Sequence, residues 1–242
     1  MNKIPRASVI TRRLPGILVL TFLFSAGARS QSFESAFDSE PVYNWIGAGM
    51  ALSTVASDRD LVGLSTEASP ILGVLEGQFH GTRFGFFRGS HDSDSGRSSF
   101  LSGLAGLRLT EFQLLKTRGL LVVPMEVSSR FTQWKRPGDN PETRLNGSSI
   151  ELVTGLGMTR SFDFAQLSAN WLVSAGLAFQ ELTDYNGTLS ATSFRIVLAF
   201  PDLYGEFGLA IGGFGSYEKW KFERDPGDFN LWYTGLTAGV CW

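Results

Sequence analysis

Ten times between residues 44 and 242 the chain runs through eight to fifteen residues that alternate apolar with polar or small side chains. A period of two belongs to β-strands, because successive side chains leave opposite faces of the pleat. The segments fall at 44–55, 68–79, 82–89, 98–110, 119–131, 148–161, 166–180, 191–200, 204–217 and 229–242. Nowhere in this stretch are there the ~18 uncharged apolar residues that a membrane helix needs. The pattern therefore predicts an all-β chain and excludes a helical membrane protein.

The connections carry a second periodicity. Those at 56–67, 90–97, 132–147, 181–190 and 218–228 are long, charged and rich in Asp, Asn, Gly and Pro, whereas 80–81, 162–165 and 201–203 are tight. The segment 111–118 (EFQLLKTR) is intermediate. Long and short connections thus alternate, as they do in a barrel whose loops lie on one side of a bilayer and whose turns lie on the other.

The faces agree. In 166–180, Leu167, Ala169, Trp171, Val173, Ala175, Leu177 and Phe179 share one side, and Ser168, Asn170, Ser174, Gly176 and Gln180 share the other. In 148–161, Ile150, Leu152, Leu156 and Met158 oppose Glu151, Gly155, Gly157 and Thr159. Faces this apolar suit hydrocarbon, so the expected fold is a closed, antiparallel transmembrane β-barrel. Ten strands are expected, or eight if the second and third segments are not both full spans, since 82–89 is short for a tilted crossing. Aromatic residues should form two girdles: Phe79, Phe84, Phe112, Phe162, Phe164, Phe200, Tyr204 and Trp242 near the turns, and Phe131, Trp134, Phe179, Tyr185, Tyr217, Trp220 and Trp232 near the loops.

The N-terminus reads as an export signal. Lys3, Arg6, Arg12 and Arg13 precede the uncharged run LPGILVLTFLFSAGA, with small residues fit for cleavage after Ala28 or Ser30. The expected organisation is a signal peptide over 1–28, a polar periplasmic lead-in over 29–43 and the barrel over 44–242. Removing the four signal-peptide cations moves the formal charge from −2 to −6, a poor surface for nucleic acid. Cys241 is the only cysteine, so no internal disulfide can form.

The closing segment, LWYTGLTAGVCW, puts Trp232, Leu236, Ala238, Val240 and Trp242 on one face and Tyr233, Gly235, Thr237 and Gly239 on the other. In lipid an open sheet edge is very costly, so this strand is expected to pair with the first. Alternate apolar positions ending in an aromatic (Leu236, Ala238, Val240, Trp242) are similar to the C-terminal assembly signal of bacterial outer-membrane β-barrel proteins. The mature chain resembles the compact OmpA-like and PorT-like members. That resemblance implies residence in the bacterial outer membrane and partners among its lipids, its lipopolysaccharide and the barrel assembly machinery.

The inner faces carry Glu76, Arg108, Glu126, Arg130, Glu151, Arg195 and Glu206. Ionised groups in a narrow interior persist when paired, so they are expected to form a lumen charge network. Arg195 and Glu206, which flank a tight turn at Pro201-Asp202, are one expected pair, and Arg108 with Glu126 is the second.

Catalysis is not expected. Omptin-like proteases need a second Asp/His pair, and barrel-type deacylases need a late histidine; only His80 and His91 are present. A hydrolase built on His91, Ser93 and Asp94 is the residual enzymatic alternative. Neither cofactor nor metal is expected, because the string Asp92 to Gly96 lacks the further carboxylate of a calcium loop. The expected role is structural or surface-interacting, through TQWKRPGDNPETRLNG and EKWKFERDPGDF, whose mixed charge and aromatics suit an extracellular protein or polysaccharide. The alternative is a narrow channel for small solutes or lipidic molecules.

Overall fold

The structure is a computed structural model that describes residues 44–57, 67–93, 96–116, 120–135, 144–179, 186–223 and 228–242. The expected signal peptide (1–28) and lead-in (29–43) lie outside the described residues. The compact unit Ser39–Trp242 is the one described below.

Ten full strands make up this unit. They are β1 Trp45–Ser57, β2 Ile71–Phe79, β3 Thr82–Ser93, β4 Gly96–Lys116, β5 Leu120–Lys135, β6 Arg144–Ser161, β7 Gln166–Phe179, β8 Asn186–Tyr204, β9 Phe207–Phe222 and β10 Phe229–Cys241. A two-residue strand, Glu67–Ala68, extends the β1–β2 ladder beyond Ile71. Every strand is antiparallel to its successor, and β10 returns to β1, from Trp45 opposite Cys241 to Ser57 opposite Phe229. Trp242 adds one more seam contact, its backbone N–H donating to Asn44 O at 3.0 Å. The sheet is therefore a closed ring of ten strands.

The strands overrun their sequence-based limits, mostly at the end away from the chain termini. The segment expected at 82–89 continues to Ser93, and the long connection expected at 90–97 is a tight hairpin in which Ser93 faces Gly96. The connection expected at 111–118 is strand as far as Lys116, which pairs with Leu120. Loop lengths thus do not alternate strictly. Beyond the hydrocarbon the outward positions turn polar and the hydrophobic alternation fades, while the backbone ladder still satisfies its own donors and acceptors.

Two turns need left-handed backbone. At His80-Gly81 both residues have positive φ, 45° and 78°, the mirror-image geometry that matches strand twist in a two-residue hairpin. The β8–β9 hairpin turns at Gly205-Glu206, not at Pro201-Asp202 as expected, with Tyr204 opposite Phe207. Pro201 and Asp202 are strand residues beside an irregularity between Phe207 and Leu209, where Asp202 adopts a φ of 57°. A bulge tolerates a proline that cannot donate to the ladder.

Outward faces are apolar around the ring. Leu152 and Leu236 are each 70% exposed, and Met50, Leu52, Leu109, Trp171, Leu177, Phe194 and Val240 share that surface. Inward faces hold two apolar layers with charge between them. Near the termini, Trp45, Val197, Ala199, Ala210 and Cys241 cluster. Toward the loops a larger cluster includes Phe100, Trp134, Leu189, Trp220, Phe229 and Leu231. Trp134 and Trp220 therefore do not join an outer girdle, and Phe229 also points inward. Their positions in the alternation continue the inner face past the expected strand ends.

Candidate functional site: the charged lumen

Period-two alternation delivers four arginines and four glutamates to the interior, and they sort into three groups. Arg130 on β5 lies between two carboxylates. Its Nε and Nη2 donate to Glu151 Oε1 and Oε2 at 3.2 and 3.4 Å, and its Nη1 donates to Glu218 Oε1. Glu151 also accepts from Ser149 Oγ at 2.8 Å and Ser174 Oγ at 2.5 Å. Glu218 accepts from Trp220 Nε1 at 3.0 Å and the Tyr233 hydroxyl at 3.2 Å. All these acidic oxygens are charge-assisted acceptors, the strong class of hydrogen bond.

The second group centres on Glu126, which takes Arg83 Nε at 2.6 Å and Arg108 Nη2 at 3.2 Å. Arg108 also reaches Glu111 at 3.0 Å. In the third, Arg195 Nη2 donates to Glu76 Oε2, whose other oxygen accepts from Thr237 Oγ1 at 3.0 Å. The Arg195 guanidinium also stands over the Trp45 ring, 5.6 Å from its centroid.

Two of these links cross the ring. Arg130 to Glu218 joins β5 to β9, and Arg195 to Glu76 joins β8 to β2, each pair four strands apart around the closed order. The space left among Arg83, Arg108, Arg130, Arg195, Asn170 and Tyr233 is about 40 Å³, and a neighbouring void beside Gln78 and Gln166 is about 20 Å³. Such volumes suit one or two waters. Apolar clusters of buried side chains lie on either side of this charged layer.

Arg108 stands directly opposite Glu126 in the β4–β5 register, as their inner-face positions require. Arg195 and Glu206 do not meet. The displaced turn puts Arg195 opposite Phe214 and leaves Glu206 exposed at the hairpin tip, so Arg195 finds Glu76 across the ring instead. Sequence reasoning missed Arg83 and Glu218, and it placed Tyr233 on the inner face without its bond to Glu218. Glu218 was hidden in an apparent loop, although Phe214, Ser216, Glu218 and Trp220 keep the inner-face period unbroken.

Of the three residues of the alternative hydrolase, the side chain of Ser93 and the whole of Asp94 lie outside the described residues. His91 is half-buried at the end of β3 and Asp92 pairs with Arg97 at 3.8 Å on the surface. His80 is exposed, stacked on Phe79 at 4.2 Å at the opposite end. Among the described residues no group of three or more metal-ligating side chains occurs.

A closed ring with hydrocarbon-compatible side chains outside and neutralised charge inside is a solution for lipid, not for water, where so broad an apolar exterior would aggregate. The fold is that of an outer-membrane β-barrel.

The barrel sequence matches no family model and no curated protein. Solved structures do match. Ail, the attachment invasion locus protein of Yersinia pestis, is 15% identical, with 84% of this chain and 100% of that one covered and a TM-score of 0.28. The translocator domain of the autotransporter NalP from Neisseria meningitidis is 12% identical over 92% and 97% of the two chains, with a TM-score of 0.28. The Pseudomonas putida toluene transporter TodX is 10% identical over 84% and 90%, with a TM-score of 0.23. The roles of those proteins do not transfer at these levels of similarity.

Proposed function

We propose that this protein is a non-catalytic, non-conducting barrel of the bacterial outer membrane, exported with a cleaved signal over 1–28, whose work lies at its surface. The observation that carries this reading is the packed lumen. A solute path would have to break the Arg130–Glu218 and Arg195–Glu76 bridges and pass a layer containing Trp134, Trp220 and Phe229. Arg130 and Glu218 are both buried, and Glu76 is buried beneath a partly exposed Arg195; removing one partner from a buried pair is strongly destabilising. The lumen charge then serves as an internal strut.

The extracellular segments remain as the contact region for an extracellular protein or polysaccharide. Their aromatic content is lower than the sequence suggests, because Trp134, Trp220 and Phe229 belong to the interior. Charge is left to dominate: RPGDNPET (136–143) and RDPG (224–227) carry both signs. Contacts of this kind set specificity and association rate more than raw affinity. Leu236, Ala238, Val240 and Trp242 would serve the assembly machinery before the strand closes the ring.

Planar-bilayer recording tests the sealed lumen. The purified barrel should give no steady openings; sustained single-channel steps from the unaltered protein would replace this reading with the narrow-channel alternative. Binding of whole cells to immobilised protein or polysaccharide, with residues 136–143 replaced by Gly and Ser, tests the surface role. Retained binding by that variant would remove the third loop from it.

A further inference from the structure

On the outer wall of β2–β4 the apolar band is interrupted by a groove of about 820 Å³. Gly73 supplies its floor, Leu75 and Phe86 its apolar walls, and Arg88, Ser90 and Arg97 its polar end. Register explains the shape. Gly73 lies opposite Arg88, and the missing side chain leaves a trough between Met50 on β1 and Arg88 on β3. Ser90 faces Ser99 and Arg88 faces Leu101 on the next strand, so the groove runs from hydrocarbon to the polar rim.

Arg88 is out of place on a lipid-facing position. It lies six residues above the turn-side end of β3, which at ~3.3 Å per residue and a tilt of about 40° sets it in the upper part of a ~25 Å apolar band. Among the described residues it has no carboxylate partner. A guanidinium there is compatible with the bilayer only if it snorkels to an anion at the outer interface. Arg97 and Lys135, the register partner of Ser99, add positive charge above the groove, whereas Lys219 and Lys221 lie away from it on the outward face of β9.

We infer that the β2–β4 groove binds a phosphorylated, acylated lipid of the outer leaflet, with an acyl chain along Gly73 between Leu75 and Phe86 and a phosphate held by Arg88 and Arg97. Guanidinium groups match phosphate geometry with paired donors, and Ser90 and Ser99 supply further hydroxyls. Arg97 already donates to Ser90 Oγ at 2.9 Å and contacts Asp92 at 3.8 Å, both exposed, so it is pre-positioned over the groove without being neutralised by a buried pair. The inference depends on the transmembrane placement of the barrel and not on the sealed lumen, so conductance results leave it untouched.

Native mass spectrometry of the detergent-folded barrel, titrated with diphosphoryl lipid A and with its dephosphorylated form, tests it. The diphosphoryl lipid should give a one-to-one adduct at concentrations at least tenfold below those at which the dephosphorylated form binds. Arg88→Gln with Arg97→Gln should weaken the adduct tenfold or more. Gly73→Leu should do the same while keeping both cations; a Cβ at Gly73 meets its nearest atom, Arg88 O, at 3.7 Å, so the barrel accommodates it. Lys219→Gln with Lys221→Gln, on a different wall, should leave binding unchanged. Equal binding of the two lipids, indifference to Gly73→Leu, or an equal loss on changing Lys219 and Lys221 would each overturn the proposal. So would displacement of the lipid by equimolar inorganic pyrophosphate, which would mark an anion site without an acyl wall.

Discussion

At Arg130 a single guanidinium holds two glutamates from strands three places apart, β6 and β9, and the consequence of losing it follows from charge alone. Arg130→Leu would leave Glu151 and Glu218 buried without their cation, at a cost of roughly 3–5 kcal/mol by the measured behaviour of broken buried pairs. Urea unfolding in lipid vesicles, followed by tryptophan fluorescence, should show that loss. Adding Glu151→Gln and Glu218→Gln should recover most of it, because the orphaned charge goes too. A single variant as stable as the parent would mean that water reaches these carboxylates. At this scale the sequence was readable wherever inward charge lies deep within a strand, as at Glu76, Glu126, Arg130 and Glu151. It was opaque at Glu218, which is flanked by Lys219, Lys221 and Glu223 and so resembles a solvated loop, although its inner-face parity with Ser216 and Trp220 was there to be followed.

For the elements, the seam between β1 and β10 is the most exacting contact. Gly239 lies opposite Gly47, and a Cβ placed on it would fall 1.9 Å from Ile46 O and 2.4 Å from Gly47 Cα. Both obstacles are backbone, so neither can swing aside. Gly239→Val should therefore block closure and abolish the heat-dependent gel shift of a folded barrel. A complementary variant captures the closed seam. In a Cys241→Ser background, Met50→Cys with Leu236→Cys places thiols on register partners of the outer face, within the reach of antiparallel neighbours. Oxidation should give a species whose first and last strands stay joined after heating, visible as altered mobility without reductant. Failure to cross-link there, with cross-linking one register step away, would mean a different closure. Which strands exist was legible because hydrophobic period two is strong inside the bilayer. The β8–β9 turn was not legible: Pro201-Asp202 has turn chemistry, yet a bulge absorbs it and the chain reverses at Gly205-Glu206. That displacement leaves Glu206 at the hairpin tip and, with the register shift between Phe207 and Leu209, puts Arg195 opposite Phe214.

For the molecule as a whole, the sequence pointed to ten strands and a neutral interior, but it could not say whether that interior is blocked, because links between strands four places apart have no local signature. Two bridges cross the lumen, Arg195–Glu76 and Arg130–Glu218, the latter joined by Trp220. Two barriers in series predict a specific order of effects. Glu76→Ala with Arg195→Ala removes one bridge as a neutral pair, yet Arg130, Glu218 and the apolar layer still fill the bore, so planar bilayers should stay silent. Adding Glu218→Ala and Trp220→Ala deletes the second cross-ring link and the largest fully buried side chain. A ten-stranded ring without these groups is wider than the eight-stranded size that side chains can fill, and water should enter. Steady ohmic openings are expected from the fourfold variant alone. Openings from the first pair by itself would place the whole barrier at Arg195 and Glu76, and silence from all four would move it to the aromatic layer around Phe100, Trp134 and Phe229.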